Sequence, residues 1–213
     1  EEDSGDEGED GDAGANDDKS LASIMQGYYA AGDYADAEAV AQKSVDATPA
    51  GQKPDYHTLQ LLMSAQGQQK NEDAAEKTLE LMVTTYNDPK DWMQLIQLAY
   101  GTNGLRDIDA LYLGRLMMAV GGPISDTYAN IIATTAAHLT FYGDALTAVS
   151  QGATPLPDVP AKAAADQKSM AAQIAAGDKQ NGQYNVKLAE ALYGYGRYPE
   201  AEAAANKAIA KGG

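Results

Sequence analysis

Cysteine is absent from the 213 residues, and the chain holds only two histidines, one tryptophan and one phenylalanine. Without cysteine there is no disulfide frame, no thiolate metal site and no cysteine nucleophile. The two histidines, His57 and His138, lie far apart in sequence, with no Ser-Asp set beside either. No HExxH, GxxxxGK[ST] or GxGxxG pattern is present. The sequence is therefore expected to be no enzyme. Long apolar runs are missing as well: LMMAV at 116–120 is among the longest, far short of the roughly 20 residues a membrane-spanning helix needs. No membrane insertion is expected.

Positive charge is scarce too. The formal net charge is −16, from 31 acids against 15 bases. Ten of the acids fall in residues 1–18, EEDSGDEGEDGDAGANDD, where there is no Lys or Arg. Residues 19–213 hold the other 21 acids against all 15 bases, a net of about −6. No basic cluster offsets this balance, which repels nucleic-acid phosphates and anionic lipid alike. Nucleic acid is excluded as an expected partner.

The only apolar side chains in residues 1–18 are alanines, too few to support a packed core, so the segment reads as an acidic tail. Asp6, Asp10, Asp12 and Asp17 alternate there with glycine in a pattern faintly like a calcium loop. Gly11 falls where such a loop requires glycine, but Gly8 and Asp17 stand where other ligands are usual. Calcium is a possible cofactor through this tail; otherwise none is expected. Glu1 stands where a start Met would, so upstream residues, including any signal peptide, are expected to have been removed.

Two stretches share one pattern at one internal spacing. GDYADAEAVAQKS carries Gly32, Tyr34, Ala37 and Ser44, and GRYPEAEAAANKA carries Gly196, Tyr198, Ala201 and Ala208. A glycine turn followed by Tyr, Ala and a second small residue at helical spacing describes the second helix of an antiparallel pair. Three more helix pairs and a further helix lie between these two. Apolar residues at helical spacing outline one pair from Ser20 to Pro49, with Leu21, Ile24 and Tyr28 on the first helix. A second runs through Leu59, Leu62, Ala74, Leu81 and Met82 to Pro89. A third holds Trp92, Ile96, Leu111, Leu116 and Met117 around a long Gly-rich turn, and a fourth runs from Ser125 through Ile131 and Ile132 to Val149, in a register open by one residue. The prolines of ATPLPDVP (153–160) then break the array with a stiff connector. A helix over 161–176 and a fifth pair, Tyr184 to Lys211, follow.

These residues resemble the tetratricopeptide repeat, a helix-turn-helix of about 34 residues. Residues 18–51 fit it best, through Leu21, Ile24, Tyr28, Gly32, Tyr34, Ala37, Ala41, Ser44 and Pro49, with Met25 where a smaller residue is usual. Residues 182–213 follow, through Leu188, Ala189, Leu192, Gly196, Tyr198, Ala201, Ala205 and Ala208; the middle pairs are degenerate. The body also resembles exported alphaproteobacterial tetratricopeptide proteins, which implies a periplasmic or extracellular place, with a cytoplasmic one still open. The resemblance implies an all-α fold, a right-handed α-solenoid of about five helix pairs behind the acidic tail. The domains then read as the tail over 1–18, four pairs over 19–152, connector and helix over 153–181, and a terminal pair over 182–213.

The same resemblance implies a concave face lined by first helices. Gln26 and Tyr29, Gln97 and Tyr100, and Glu190 and Tyr193 occupy matching places on three of them. Such a polar-plus-Tyr stripe suits hydrogen bonding and stacking on a protein or peptide partner, although Tyr there also suits packing on a neighbouring repeat. The Lys and Asn clamp that some members use on a C-terminal carboxylate is missing. The functions expected are a non-catalytic scaffold that binds a partner protein on its concave face, a structural protein whose copies assemble head to tail into filaments or fibres, or a calcium-dependent binding module. The self-assembly reading rests on the last helix, which is followed at once by Gly212-Gly213 with no capping helix to cover it.

Overall fold

The computed structural model describes residues 13–213, with side chains from Leu21 onward; Asp6, Asp10 and Asp12 lie outside the described residues. The described chain is helical throughout, with no strand. Eleven helices follow one another: α1 (Ala13–Ala31), α2 (Tyr34–Asp46), α3 (Tyr56–Gln68), α4 (Glu72–Tyr86), α5 (Pro89–Tyr100), α6 (Asp107–Ala119), α7 (Asp126–His138), α8 (Tyr142–Ser150), α9 (Val159–Ala176), α10 (Gly182–Gly194) and α11 (Tyr198–Ala210). The backbone divides into two compact units, Glu1–Leu95 and Ile96–Gly213, the division falling within α5.

In the first unit α1 packs on α2 and α3, α2 on α3, and α3 on α4. In the second, α6 packs on α7, α7 on α8, α8 on both α9 and α10, and α10 on α11. Each unit is thus a run of helices in which chain neighbours are packing neighbours, the arrangement of a helical repeat array.

One turn geometry recurs in both units. α1–α2, α3–α4, α7–α8 and α10–α11 are joined by a residue in the left-handed region, at Gly32 (φ 84°), Lys70 (φ 60°), Thr140 (φ 66°) and Gly196 (φ 71°). The next residue, Asp33, Asn71, Phe141 or Arg197, takes φ between −83° and −89° and ψ between 56° and 71° before the second helix opens. Its N–H bonds back five residues, to the carbonyls of Tyr28, Gln66, Ala136 and Leu192 at 2.8–3.0 Å. These bonds satisfy the last free carbonyls of each first helix by the Schellman arrangement. The third pair departs from it: residues 101–106 form a longer turn between α5 and α6.

Burial corrects the helical phase expected on α1, α4, α6 and α7; on α6 Met117 is buried while Leu116 faces out. On α1 Met25 is buried, while Ile24 and Tyr28 are exposed. On α4 the buried stripe is Leu79, Met82 and Val83, and Leu81 faces out; on α7 Ile132 is buried and Ile131 faces out. Each correction is a step of one residue or two, and one residue turns a helix by about 100°. Met25 wins its place because an unbranched side chain fills the gap between Ala41 and Leu62, with which it forms one core cluster. The helix start also differs: α1 begins at Ala13, inside the stretch read as tail, and α9 begins at Val159 with Pro160 in its first turn.

The last pair is fastened at its end. Lys211 Nζ donates to the carbonyls of Gly177, Asp178 and Gln180, each at 2.8 Å, beyond the C-terminus of α9. A cation there satisfies carbonyls that the helix leaves free.

Candidate functional site

The second unit buries one arginine. Arg115 stands on α6 between Leu111 and Met117, both fully buried, and its side chain is 9% exposed. Its Nε and Nη2 donate to the two carboxylate oxygens of Asp144 on α8, both at 2.8 Å, and Nη2 also donates to the Glu190 carbonyl of α10 at 3.0 Å. Three rings surround the guanidinium, with centroids 5.8 Å (Tyr112), 5.3 Å (Phe141) and 5.1 Å (Tyr193) from Cζ. Burial alone pulls the guanidinium pKa down, but the hydrogen bonds and charge of Asp144 outweigh it and leave it above its ordinary value. The pair is a fixed, self-neutralised centre joining three helices.

Around it the surface carries exposed tyrosines. Tyr112 donates its hydroxyl to Glu190 Oε1; burial first, then that bond and the carboxylate's charge, push its phenol up to about 12. Tyr193 meets Tyr198 edge to face at 5.3 Å and 63°, and Tyr198 is 59% exposed. Between α10 and α11 these rings wall a hollow of about 470 Å³. Its floor is Ala189, Ala201 and Ala205, and Glu190 and Glu202 supply its carboxylates, with Arg115 beneath. Small residues and flanking rings make a shallow, open depression that suits an apolar side chain. Since Arg115 is already neutralised by Asp144, the charge left at the rim is negative. No protein-family model matches the chain, and no curated protein matches it.

The six residues expected on a concave face fall in different settings. Gln26 and Tyr29 belong to the first unit, where Gln26 Nε2 lies 2.9 Å from His57 Nε2 and Tyr29 packs edge to face on Tyr34 at 5.3 Å. The other four are in the second unit. Gln97 is exposed, and its side chain forms no hydrogen bond among the described residues. Tyr100 is half-buried: its hydroxyl donates to the Ala110 carbonyl at 2.7 Å and its ring packs on Tyr128, and burial pushes its phenol up to about 12. Glu190 and Tyr193 are brought together, lining one hollow. Tyr29 and Tyr193 share a role, each packing on the tyrosine that opens the second helix of its own pair.

Asp17 lies on the backbone of α1. No group of three or more His, Cys, Asp or Glu side chains among the described residues is placed to hold a metal ion. His138 Nδ1 lies 2.9 Å from Asp107 Oδ2 at an exposed surface. None of the described helices is long and apolar enough to cross a membrane.

Arg115, Asp144 and Tyr112 were not singled out by sequence. Asp144 is the third residue of its helix, as Asp36 and Glu200 are of α2 and α11. Both of those are exposed acids at a helix N-terminus, so the burial of the third was masked by its siblings. The signal available was Arg115 itself, a lone charge inside the apolar run LYLGRLMMA.

Proposed function

We propose that the chain is a non-catalytic scaffold of the tetratricopeptide type, a right-handed solenoid of about five helix pairs that holds a segment of a partner protein. The observation that supports this reading is the Tyr193/Tyr198 hollow: a shallow, solvent-open apolar depression with carboxylates at its rim. The recurrent turn at Gly32, Lys70, Thr140 and Gly196 supports the repeat class. A depression of this composition favours a segment that places an aromatic or branched apolar residue beside Lys or Arg: the apolar side chain lies against the rings, and the cation meets Glu190 and Glu202.

Selection from a displayed random-peptide library tests the reading. Enriched peptides are expected to pair an apolar anchor with a basic neighbour and to bind the Tyr193→Ala/Tyr198→Ala variant at least tenfold more weakly. Peptides that bind this variant as well as wild type, or that are acidic, overturn the proposal. The competing reading, a chain that assembles with its own copies, predicts instead that the mass by light scattering grows with concentration.

A further inference from the structure

A second cavity lies in the second unit, sharing Glu190 with the tyrosine hollow. It has a volume of about 490 Å³ and opens where α9 is inserted between the fourth and fifth helix pairs. α8 packs on both α9 and α10, α9 packs on α10 through Met170, Leu188 and Leu192, and the cavity opens beside that contact at the α7–α8 turn. In sequence this is the place where the connector interrupts the repeat pattern, and departures from a local rule are where function concentrates.

The cavity has an apolar side built from Ile108, Leu139, Phe141 and Leu188. In the same lining, Asp166 of α9 is held by two hydrogen bonds: Oδ2 accepts the Tyr195 hydroxyl at 2.9 Å and Oδ1 accepts Gln173 Nε2 at 3.1 Å. Each oxygen keeps lone-pair capacity for another donor. Glu190 also lines the cavity, with Oε1 fixed by Tyr112. Against these two carboxylates the lining holds one ammonium, Lys187. An anion is therefore disfavoured. Volume, an apolar side and convergent fixed acceptors are the marks of a small-molecule site.

The geometry points to this cavity as a binding site for a small amphipathic cation, a primary amine carrying an aromatic or branched apolar group. The ammonium donates to Asp166 and Glu190 while the apolar group covers Phe141 and Leu139. The site shares Glu190 with the peptide hollow, but Asp166 and the α7–α8 turn take no part there.

Phenethylamine is the probe, titrated into the full chain and followed by amide NMR. Saturable shifts are expected at Leu139, Phe141, Leu188 and Ala191, whereas phenylacetate, with the same ring and the opposite charge, leaves them unmoved. Asp166→Asn should weaken phenethylamine at least tenfold. Val186→Trp, which fills the cavity without altering its charge, should abolish the response and serves as the reading if Asn at 166 disturbs the Tyr195 contact. The Tyr193→Ala/Tyr198→Ala variant should bind the probe as wild type does. No response at these amides, equal response to phenylacetate, or a response unchanged in both cavity variants overturns the proposal.

Discussion

Arg115 and Asp144 face each other through two parallel hydrogen bonds of 2.8 Å, in a place where their side chains are 9% and 3% exposed. The residues come from α6 and α8, 29 positions apart, and the third bond, to the Glu190 carbonyl, brings in α10. Two charges taken out of water attract strongly only when the geometry is good and their other polar atoms are satisfied. Both conditions hold, and the same centre sets the position of Tyr193 at the edge of the hollow.

Removing one partner should therefore cost far more than removing both. Arg115→Met leaves the Asp144 carboxylate buried and unpaired, and a loss of about 3–5 kcal/mol is expected. The double variant Arg115→Met/Asp144→Leu should recover most of it. Urea denaturation of the two variants and wild type checks this; equal losses in single and double variants would show that the pair contributes as packing alone.

The four matched turns give a prediction with two signs. Lys70 and Thr140 hold left-handed backbone at exposed positions where Gly32 and Gly196 hold it at less cost. Lys70→Gly and Thr140→Gly should each stabilise by about 0.5–1 kcal/mol, and Gly32→Ala and Gly196→Ala should each destabilise by about 1 kcal/mol. Thermal melts of the four variants decide it, and destabilisation by both glycine substitutions would refute the conformational argument.

Those turns also show how much of the fold was legible. Gly32 and Gly196 announce a left-handed turn, so the first and last pairs were readable together with their Tyr and Ala spacing. Lys70 and Thr140 adopt the same geometry through tertiary packing, against their own preference, and no sequence pattern marks them. The all-helical class and the order of helices followed from apolar periodicity. Phase did not, because Ile24, Leu81 and Ile131 sit beside equally apolar Met25, Met82 and Ile132, and only packing chooses among adjacent candidates. At the site, Glu190 and Tyr193 were legible through their matching places on first helices. Tyr100 occupies the same place as Tyr193, yet turns its hydroxyl to the Ala110 carbonyl, since the longer turn after α5 changes what lies opposite. Asp144 was hidden by its likeness to Asp36 and Glu200.

Asp91 supplies a pH dependence. The residue is 5% exposed in the first turn of α5; Oδ1 accepts the Tyr56 hydroxyl at 3.0 Å, and Oδ2 has no partner among the described residues. Burial pushes its pKa above the ordinary carboxyl value; the Tyr56 bond and the Lys90 charge oppose this, and the Asp88 charge adds to it. A folded pKa above the unfolded one means that Asp91 contributes stability below the unfolded pKa, near 3.9. That contribution is lost as pH rises through the folded value. Asp91→Asn keeps an acceptor for Tyr56 and removes the charge. It should be more stable than wild type at neutral pH, with the advantage shrinking as pH falls to about 4. A difference independent of pH, by urea denaturation at both values, would exclude the linkage.

Gly194 couples the buried pair to backbone contact between helices. A Cβ at Gly143 of α8 would lie 2.5 Å from the carbonyl carbon of Gly194, and one at Gly194 of α10 would fall on the Asp144 carboxylate. Gly194→Ala must therefore displace the carboxylate that holds Arg115, and a loss of at least about 1–3 kcal/mol is expected from the overpacking. In an Asp144→Ala background the carboxylate is gone and the nearest remaining neighbour of the new methyl is the residue-144 backbone nitrogen at 3.1 Å, so the same substitution should cost less. A double-mutant cycle measured by urea denaturation reads this coupling directly, and a coupling energy of about 1 kcal/mol or more is expected for residues in contact. An additive cycle would mean that Gly194 is required by the neighbouring backbone of α8, at the residue-144 nitrogen, rather than by the ion pair.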